Sequence, residues 1–153
     1  MQLRVTREID APAQRVWELI TDIEHAPETL SGVEQVERLD DGGGFGVGTR
    51  WRETRTMFGR QATEEMEVTA VEPERSYTTV AQHGTTRYVS ALQVEPLGEE
   101  RCQLAMTFEG TSSSALGRIL AATVGRLFSG STRKMVQQDL DDIAAAAEAT
   151  ITD

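Results

Sequence analysis

The feature that most constrains the fold of this chain is the order of its hydrophobic periodicities. After one strand-like segment and two short helical segments, apolar residues recur with the period of two from residue 33 to residue 110. The period then changes to that of a helix for residues 116–147. A helix of that length spans roughly 45 Å, and no other segment is long enough to cover the apolar face of a sheet. The pattern predicts an α+β fold in which a curved sheet wraps around one long carboxy-terminal helix.

Seven segments have the pattern of strands. In the first one, Leu3, Val5 and Ile9 alternate with polar residues. The other six are predicted at 33–39, 48–57, 61–71, 76–82, 85–94 and 101–109. Residues typical of turns, such as the Gly and Pro at 42–48, 72–74 and 96–98, separate them. Because tight turns join antiparallel neighbours, we expect a meandering antiparallel sheet of seven strands.

Proline and glycine positions indicate where the helices begin and end. Pro12 favours a helix start after the first strand, and Pro27 interrupts that helix, so that a second short helical piece extends to about Leu30. In the long helix, Gly130 marks the place where a bend or break is expected.

The charge and composition exclude several classes of protein. With 15 basic and 25 acidic residues the net charge is −10, so nucleic acid and anionic membranes are poor partners. The single cysteine, Cys102, excludes an intramolecular disulfide. Charged residues lie near the amino terminus, which argues against a signal peptide. Long apolar runs are absent, so we expect no stable membrane insertion. We expect one cytoplasmic domain over residues 1–153.

This order of elements resembles the START-like superfamily, also called SRPBCC, whose helix-grip fold is that of the birch pollen allergen. The residues that carry the resemblance are Ile9, Asp10, Ala11, Pro12, Val16, Trp17, Asp22, Pro27, Gly46, Val47, Gly48, Thr49, Glu72 and Pro73. The chain looks most like the polyketide cyclase/dehydrase and lipid-transport branch. The resemblance implies a cavity between sheet and long helix that takes an apolar small molecule, and it transfers no catalytic residue.

Alternation along each strand predicts which side chains face such a cavity, although a bulge reverses the assignment beyond it. In the strand at 61–71, for example, this alternation places Met66, Val68 and Ala70 inward. The candidate ligand-binding residues are Trp51, Glu53, Arg55, Met57, Glu64, Met66, Tyr88, Leu92, Met106, Phe108, Leu120, Val124 and Leu127.

Three of these candidates are charged, and two interpretations of them remain open. If Glu53, Arg55 and Glu64 face inward, they form a polar anchor in an otherwise apolar cavity, since a buried charge needs a partner. If the alternation fails at the strand ends, they lie on the solvated face and form cross-strand salt bridges.

Other motifs are better explained by structure than by chemistry. The glycine-rich run at 41–50 lacks the Gly-Lys-Ser/Thr ending of a phosphate-binding loop and is expected to be a hairpin loop at the cavity rim, with Phe45 as a small lid. His25 and His83 are far apart in sequence and match no zinc motif. We therefore expect neither a metal nor a cofactor.

The leading hypothesis is binding or transport of a hydrophobic small molecule such as a lipid, a polyketide or an isoprenoid. A polyketide cyclase or aromatase is the alternative, with Glu53, Arg55, Glu64 or Tyr88 orienting the substrate and moving protons. A protein-interaction module is a second alternative, in which a partner binds the outer sheet face or the segment 116–128. Contact of that segment with a membrane is disfavoured by the acidic residues after Gln138, which include Asp139 and Asp142.

Overall fold

The computed structural model describes residues 2–57, 59–83, 86–112 and 115–149, without the side chains of 57, 60, 83, 86, 112, 115–129 and 131. The predicted order of elements is confirmed. The strands are β1 (Gln2–Ile9), β2 (Val33–Arg38), β3 (Arg50–Met57), β4 (Arg60–Glu72), β5 (Ser76–His83), β6 (Thr86–Gly98) and β7 (Arg101–Ser112). The helices are α1 (Ala13–Thr21), α2 (Ala26–Thr29) and α3 (Ala115–Ala149), with a 3₁₀ turn at Ile23–His25 before α2.

The seven strands form one antiparallel sheet in the order β1-β7-β6-β5-β4-β3-β2. Strands β2 to β7 follow one another as hairpins, while β1 pairs with the last strand. This arrangement leaves β1 and β2 at the two edges, and the segment that connects them contains α1 and α2. The helix-grip architecture predicted from the sequence is therefore confirmed.

Register shifts occur in β2, β4 and β6, and those in β4 and β6 alter the predicted strands. In β4 the register shifts between Val68 and Ala70, so Ala70 is exposed and Val71 packs against the core, the reverse of the predicted alternation. In β6 a second shift between Pro96 and Gly98 lets the strand continue to Gly98, where a turn was predicted. Proline lacks the N–H that a regular ladder needs, and a bulge accommodates that loss.

Helix α3 covers the concave face of the sheet with an apolar stripe. Val136, Leu140, Ile143 and Ala147 are all at most 5% exposed and recur every three or four residues. They belong to one hydrophobic core with the inward residues of β1, β6 and β7. Full burial of such a side chain stabilises the fold by about 1.5–3 kcal/mol.

Polar contacts fix the position of α3 at two neighbouring residues, Asp141 and Asp142. Arg7 on β1 forms an ion pair with Asp141. The backbone N–H and the hydroxyl of Ser31, just before β2, donate to one oxygen of Asp142 at 2.9 and 2.8 Å. The backbone of α3 is helical through Gly130, so the break expected there does not occur.

An aromatic cluster closes the core beneath α1. Phe45 packs edge-on against Trp17 and Tyr77, with ring centroids 6.4 and 4.9 Å apart. Edge-to-face pairs of this kind add about 0.5–1.5 kcal/mol beyond simple burial. Phe45 is thus a packing residue of the core in this structure, where the sequence predicted a lid.

Candidate functional site

A cavity of about 110 Å³ lies between the concave face of the sheet, the carboxy-terminal half of α3 and the segment from α1 to α2. The sheet contributes mainly apolar side chains, among them Trp51, Met66, Leu92 and Met106. Leu140 and Ile143 of α3 form the opposite wall. A space with mostly apolar walls and a few convergent polar groups is the composition usual for small-molecule sites.

The segment from α1 to α2 forms the third wall and the mouth of the cavity. Ile20 and Ile23 are buried and line the interior. Asp22 also lines the cavity, yet its side chain is 50% exposed and pairs with His25. The cavity therefore reaches the surface beside Asp22, where Ala26 and Thr29 complete the rim.

A guanidinium clamped by two carboxylates forms the polar end of the cavity. Arg55 Nη1 and Nη2 donate to the two oxygens of Asp139 at 3.1 and 3.0 Å, in a bidentate arrangement. Arg55 Nε donates to Glu53 at 3.3 Å. The side chains of Glu53, Arg55 and Asp139 are 11–13% exposed, and all three line the cavity. We call these three residues the buried triad.

The pKa values within the triad reflect two carboxylates that share one cation. Burial lowers the pKa of Arg55, but the charges and hydrogen bonds of Asp139 and Glu53 outweigh this, and the net effect is a raised pKa. The pKa of Asp139 is also raised, chiefly by burial and further by the charge of Glu53, although Arg55 opposes the shift. The triad holds one negative charge more than its cation neutralises, and Asp139 is the carboxyl that takes up a proton more readily than usual.

The polar groups of Trp51 and Tyr77 also bear on the cavity. The indole Nε1 of Trp51, a residue that is 4% exposed, is buried without a hydrogen-bond partner among the described residues. The hydroxyl of Tyr77 donates to the carbonyl of Ile20 at 2.9 Å, and burial raises the pKa of Tyr77. Tyr77 therefore fixes the end of α1 over β5, while Trp51 keeps an unused donor.

The structure brings together about half of the residues proposed from the sequence. Those that line the cavity are Trp51, Glu53, Arg55, Met66, Leu92 and Met106. Glu53 and Arg55 face inward, which answers the question that the sequence left open for these two residues.

Other proposed residues lie elsewhere. Glu64 stands opposite Glu53 in the β3–β4 ladder but is not a lining residue of this cavity. Tyr88 stacks on Phe108 at 5.6 Å, near the end of β7 from which the chain continues into α3. The pKa of Tyr88 is raised by burial and then by the charge of Glu64. The side chains of Met57, Leu120, Val124 and Leu127 lie outside the described residues.

Asp139 is the charged residue of the buried triad that sequence reasoning missed. Its position among surface acids made it look solvated, whereas the residue is 9% exposed. A signal was present, because Asp139 lies three residues after Val136 and four before Ile143, on the apolar stripe of α3. An acid on such a stripe needs a buried partner, which Arg55 provides.

Groups for metal or covalent chemistry are not assembled in the described part of the chain. Within those ranges, no three His, Cys, Asp or Glu side chains lie together as metal ligands. Cys102 is fully buried and burial raises its pKa, which disfavours the nucleophilic thiolate. The helices in the described ranges include none with the length and hydropathy needed to cross a bilayer.

Residues 1–148 match the family described as polyketide cyclase/dehydrase and lipid transport. No significant match was found among curated protein sequences.

Solved structures share the fold at low sequence identity. The Zhui aromatase/cyclase of Streptomyces sp. R1128 is 19% identical, with a TM-score of 0.82 over 99% of this chain and 95% of that one. A protein of Thermus thermophilus is 22% identical, with a TM-score of 0.78 over 98% and 99% of the two chains. Norcoclaurine synthase of Thalictrum flavum, solved with dopamine and hydroxybenzaldehyde, is 19% identical, with a TM-score of 0.71 over 95% and 85%. Since the family model covers nearly the whole chain, the chain belongs to the polyketide cyclase/dehydrase and lipid-transport family.

Proposed function

We propose that this protein binds an apolar small molecule in the cavity between the sheet and α3. The observation that carries the proposal is the combination of apolar walls with one polar end, formed by the buried triad. A core that served stability alone gains little from a buried ion cluster, because the cost of desolvating the charges offsets their attraction. A ligand that uses these groups accounts for their presence.

The size of the cavity bounds the part of the ligand that it holds. About 110 Å³ is below the roughly 300–1,000 Å³ of sites that enclose a drug-sized molecule. It is close to the roughly 150 Å³ of an engineered cavity that binds benzene. We therefore expect the cavity to take a group of about one ring, with the remainder of a longer ligand leaving past Asp22.

Filling the cavity tests the proposal directly. Ser90 lines the cavity on β6, and Ser90→Leu adds apolar volume there. Gln93 is exposed on the same strand, so Gln93→Leu is the matched control. In thermal-shift and calorimetric titrations with 2-phenylethanol, we expect saturable binding to the wild type and to Gln93→Leu, and none to Ser90→Leu. Equal binding to all three proteins would place the ligand elsewhere and refute the proposal.

An enzyme of the cyclase type is the second candidate, and one observation favours it. Asp139 has a raised pKa, lines the cavity and contacts Arg55. In such an arrangement the carboxyl of Asp139 exchanges protons with the substrate, while the guanidinium of Arg55 orients a substrate carbonyl. The test is incubation with a poly-β-ketone thioester and mass analysis for the loss of water that follows ring closure. If the protein is such an enzyme, we expect Asp139→Asn to abolish product formation and to retain ligand binding. If the wild type forms product no faster than the uncatalysed reaction, this candidate function is refuted.

A further inference from the structure

We propose that the cavity selects ligands whose polar group donates hydrogen bonds and carries no negative charge, that is, alcohols, phenols and amines in preference to carboxylates. This inference rests on the proposed function and specifies the chemical class of its ligand.

The charges around the cavity are the first argument. Among its lining residues the acids are Glu53, Asp139 and, at the mouth, Asp22, whereas Arg55 is the cation. Within the buried triad the sum is one negative charge, held by side chains that are 11–13% exposed and therefore weakly screened. A second anion brought into this space meets repulsion, while a cation or a neutral donor does not.

The geometry of Arg55 is the second argument. Within the described part of the chain, three of its five N–H groups are used, two by Asp139 and one by Glu53. The Nη1 atom also lies against Gly32, where a Cβ would approach it to 3.2 Å. A ligand carboxylate would either become the third carboxylate on one guanidinium or displace one of the protein's own carboxylates, and that displaced charge would then remain buried without a partner.

The unused donor of Trp51 is the third argument and is independent of the charges. Its Nε1 has no partner among the described residues, and the residue lines the cavity two positions from Glu53 on the same strand face. A hydroxyl group accepts one hydrogen bond and donates another. An alcohol or phenol therefore matches both the indole donor and the carboxylate acceptors, whereas a protonated amine matches the carboxylate acceptors alone.

Three probes that differ in one group test the selection. We would measure the Kd of 2-phenylethanol, 2-phenylethylamine and 3-phenylpropanoate at pH 7 by calorimetry, with ethylbenzene as the probe without a polar group. We expect the alcohol and the amine to bind at least about tenfold more tightly than the carboxylate, since one buried like-charge contact readily exceeds that factor.

Removal of one charge supplies the internal control. Glu53→Gln keeps the shape and an acceptor for Arg55 but makes the triad neutral, so we expect the gap between amine and carboxylate to narrow by about tenfold. Glu65→Gln makes the same change on the outer face of β4, where Glu65 pairs with Arg52, and leaves the gap unchanged. If Glu53→Gln does not fold, as judged by circular dichroism, the wild-type series decides by itself.

The outcomes separate this inference from the proposed function. If the wild type binds the carboxylate and the alcohol with equal affinity and also binds ethylbenzene, the proposed selection is overturned while the cavity remains a binding site. No binding of any of the four probes would overturn the proposed function and the selection with it.

Discussion

Asp139 on α3 accepts two hydrogen bonds from Arg55 on β3, at 3.1 and 3.0 Å, although 84 residues separate the two in sequence. This contact joins β3, the neighbour of the edge strand β2, to the helix that the sheet encloses. It also places charged groups at the end of an apolar cavity, and Glu53 extends the cluster along β3. The stability of the fold and the chemistry of the cavity therefore depend on the same three side chains.

Replacement of Arg55 by Met is expected to destabilise the protein by about 3–5 kcal/mol at pH 7, since it leaves Glu53 and Asp139 buried without a cation. Urea unfolding measures the change. The loss should shrink as the pH is lowered, because Asp139 takes up a proton more readily than usual and its protonation relieves the repulsion. Arg52 lies on the exposed face of β3, 42% exposed, and Arg52→Met should cost about 0–1 kcal/mol. Similar losses for both variants would contradict the role given to Arg55.

The raised pKa of Asp139 predicts a specific pH dependence. Because burial raises this pKa above its unfolded value, the folded state binds the proton more tightly. The resulting stabilisation is fully present below the unfolded pKa and is lost as the pH rises through the folded one. Relative to Asp139→Asn, the wild type should therefore lose stability as the pH rises above the ordinary titration range of an aspartate. An opposite slope, or a carboxyl carbon of Asp139 that titrates by NMR below the ordinary range, would refute this.

Removal of the Tyr77 hydroxyl is expected to destabilise the protein by about 1–2 kcal/mol, because Tyr77→Phe leaves the buried Ile20 carbonyl without its donor. Tyr88→Phe is the comparison, since the Tyr88 hydroxyl has no hydrogen-bond partner among the described residues. Its cost should stay within about 0.5 kcal/mol. Thermal unfolding of the two variants would measure this difference in stability. Equal losses of stability in Tyr77→Phe and Tyr88→Phe would count against the hydrogen bond from Tyr77 to the Ile20 carbonyl.

Gly130 lies within the continuous helix α3, exposed, and a Cβ at this position meets no atom within 4 Å. Gly130→Ala should therefore stabilise the protein by about 0.5–1 kcal/mol. Gly48→Ala is the contrasting variant. Gly48 has φ +95°, a conformation that alanine adopts only with strain, so this substitution should be destabilising. A loss of stability in Gly130→Ala would indicate that the helix does not continue through this residue.

Local pattern was sufficient to predict the fold. The alternation of β3 left two orientations open for Glu53 and Arg55, and the inward one holds because Trp51, two residues before Glu53, is a large apolar side chain that faces the core. The bulge after Val68 was not predicted, since it depends on pairing with β5 and not on the residues of β4 alone.

The long-range part of the site was harder to predict. Asp139 shares the apolar stripe of Val136 and Ile143, but its partner lies on a distant strand, and periodicity does not indicate which strand that is. The residues of α1 and α2 that line the cavity were missed for the same reason. Packing decides the place at which a connecting segment folds over a sheet, and the hydrophobic periodicity of a sequence does not encode that packing.

The central claim is that an apolar ligand enters the cavity beside the buried triad, and NMR of the indole N–H groups tests it most directly. The chain has two tryptophans, and Trp51 lines the cavity while Trp17 does not. On titration with 2-phenylethanol, the account predicts a saturable shift of the Trp51 indole signal, together with the methyl groups of Met66 and Met106. Shifts confined to exposed apolar residues such as Val47 and Leu97, with the Trp51 signal unmoved, would contradict it.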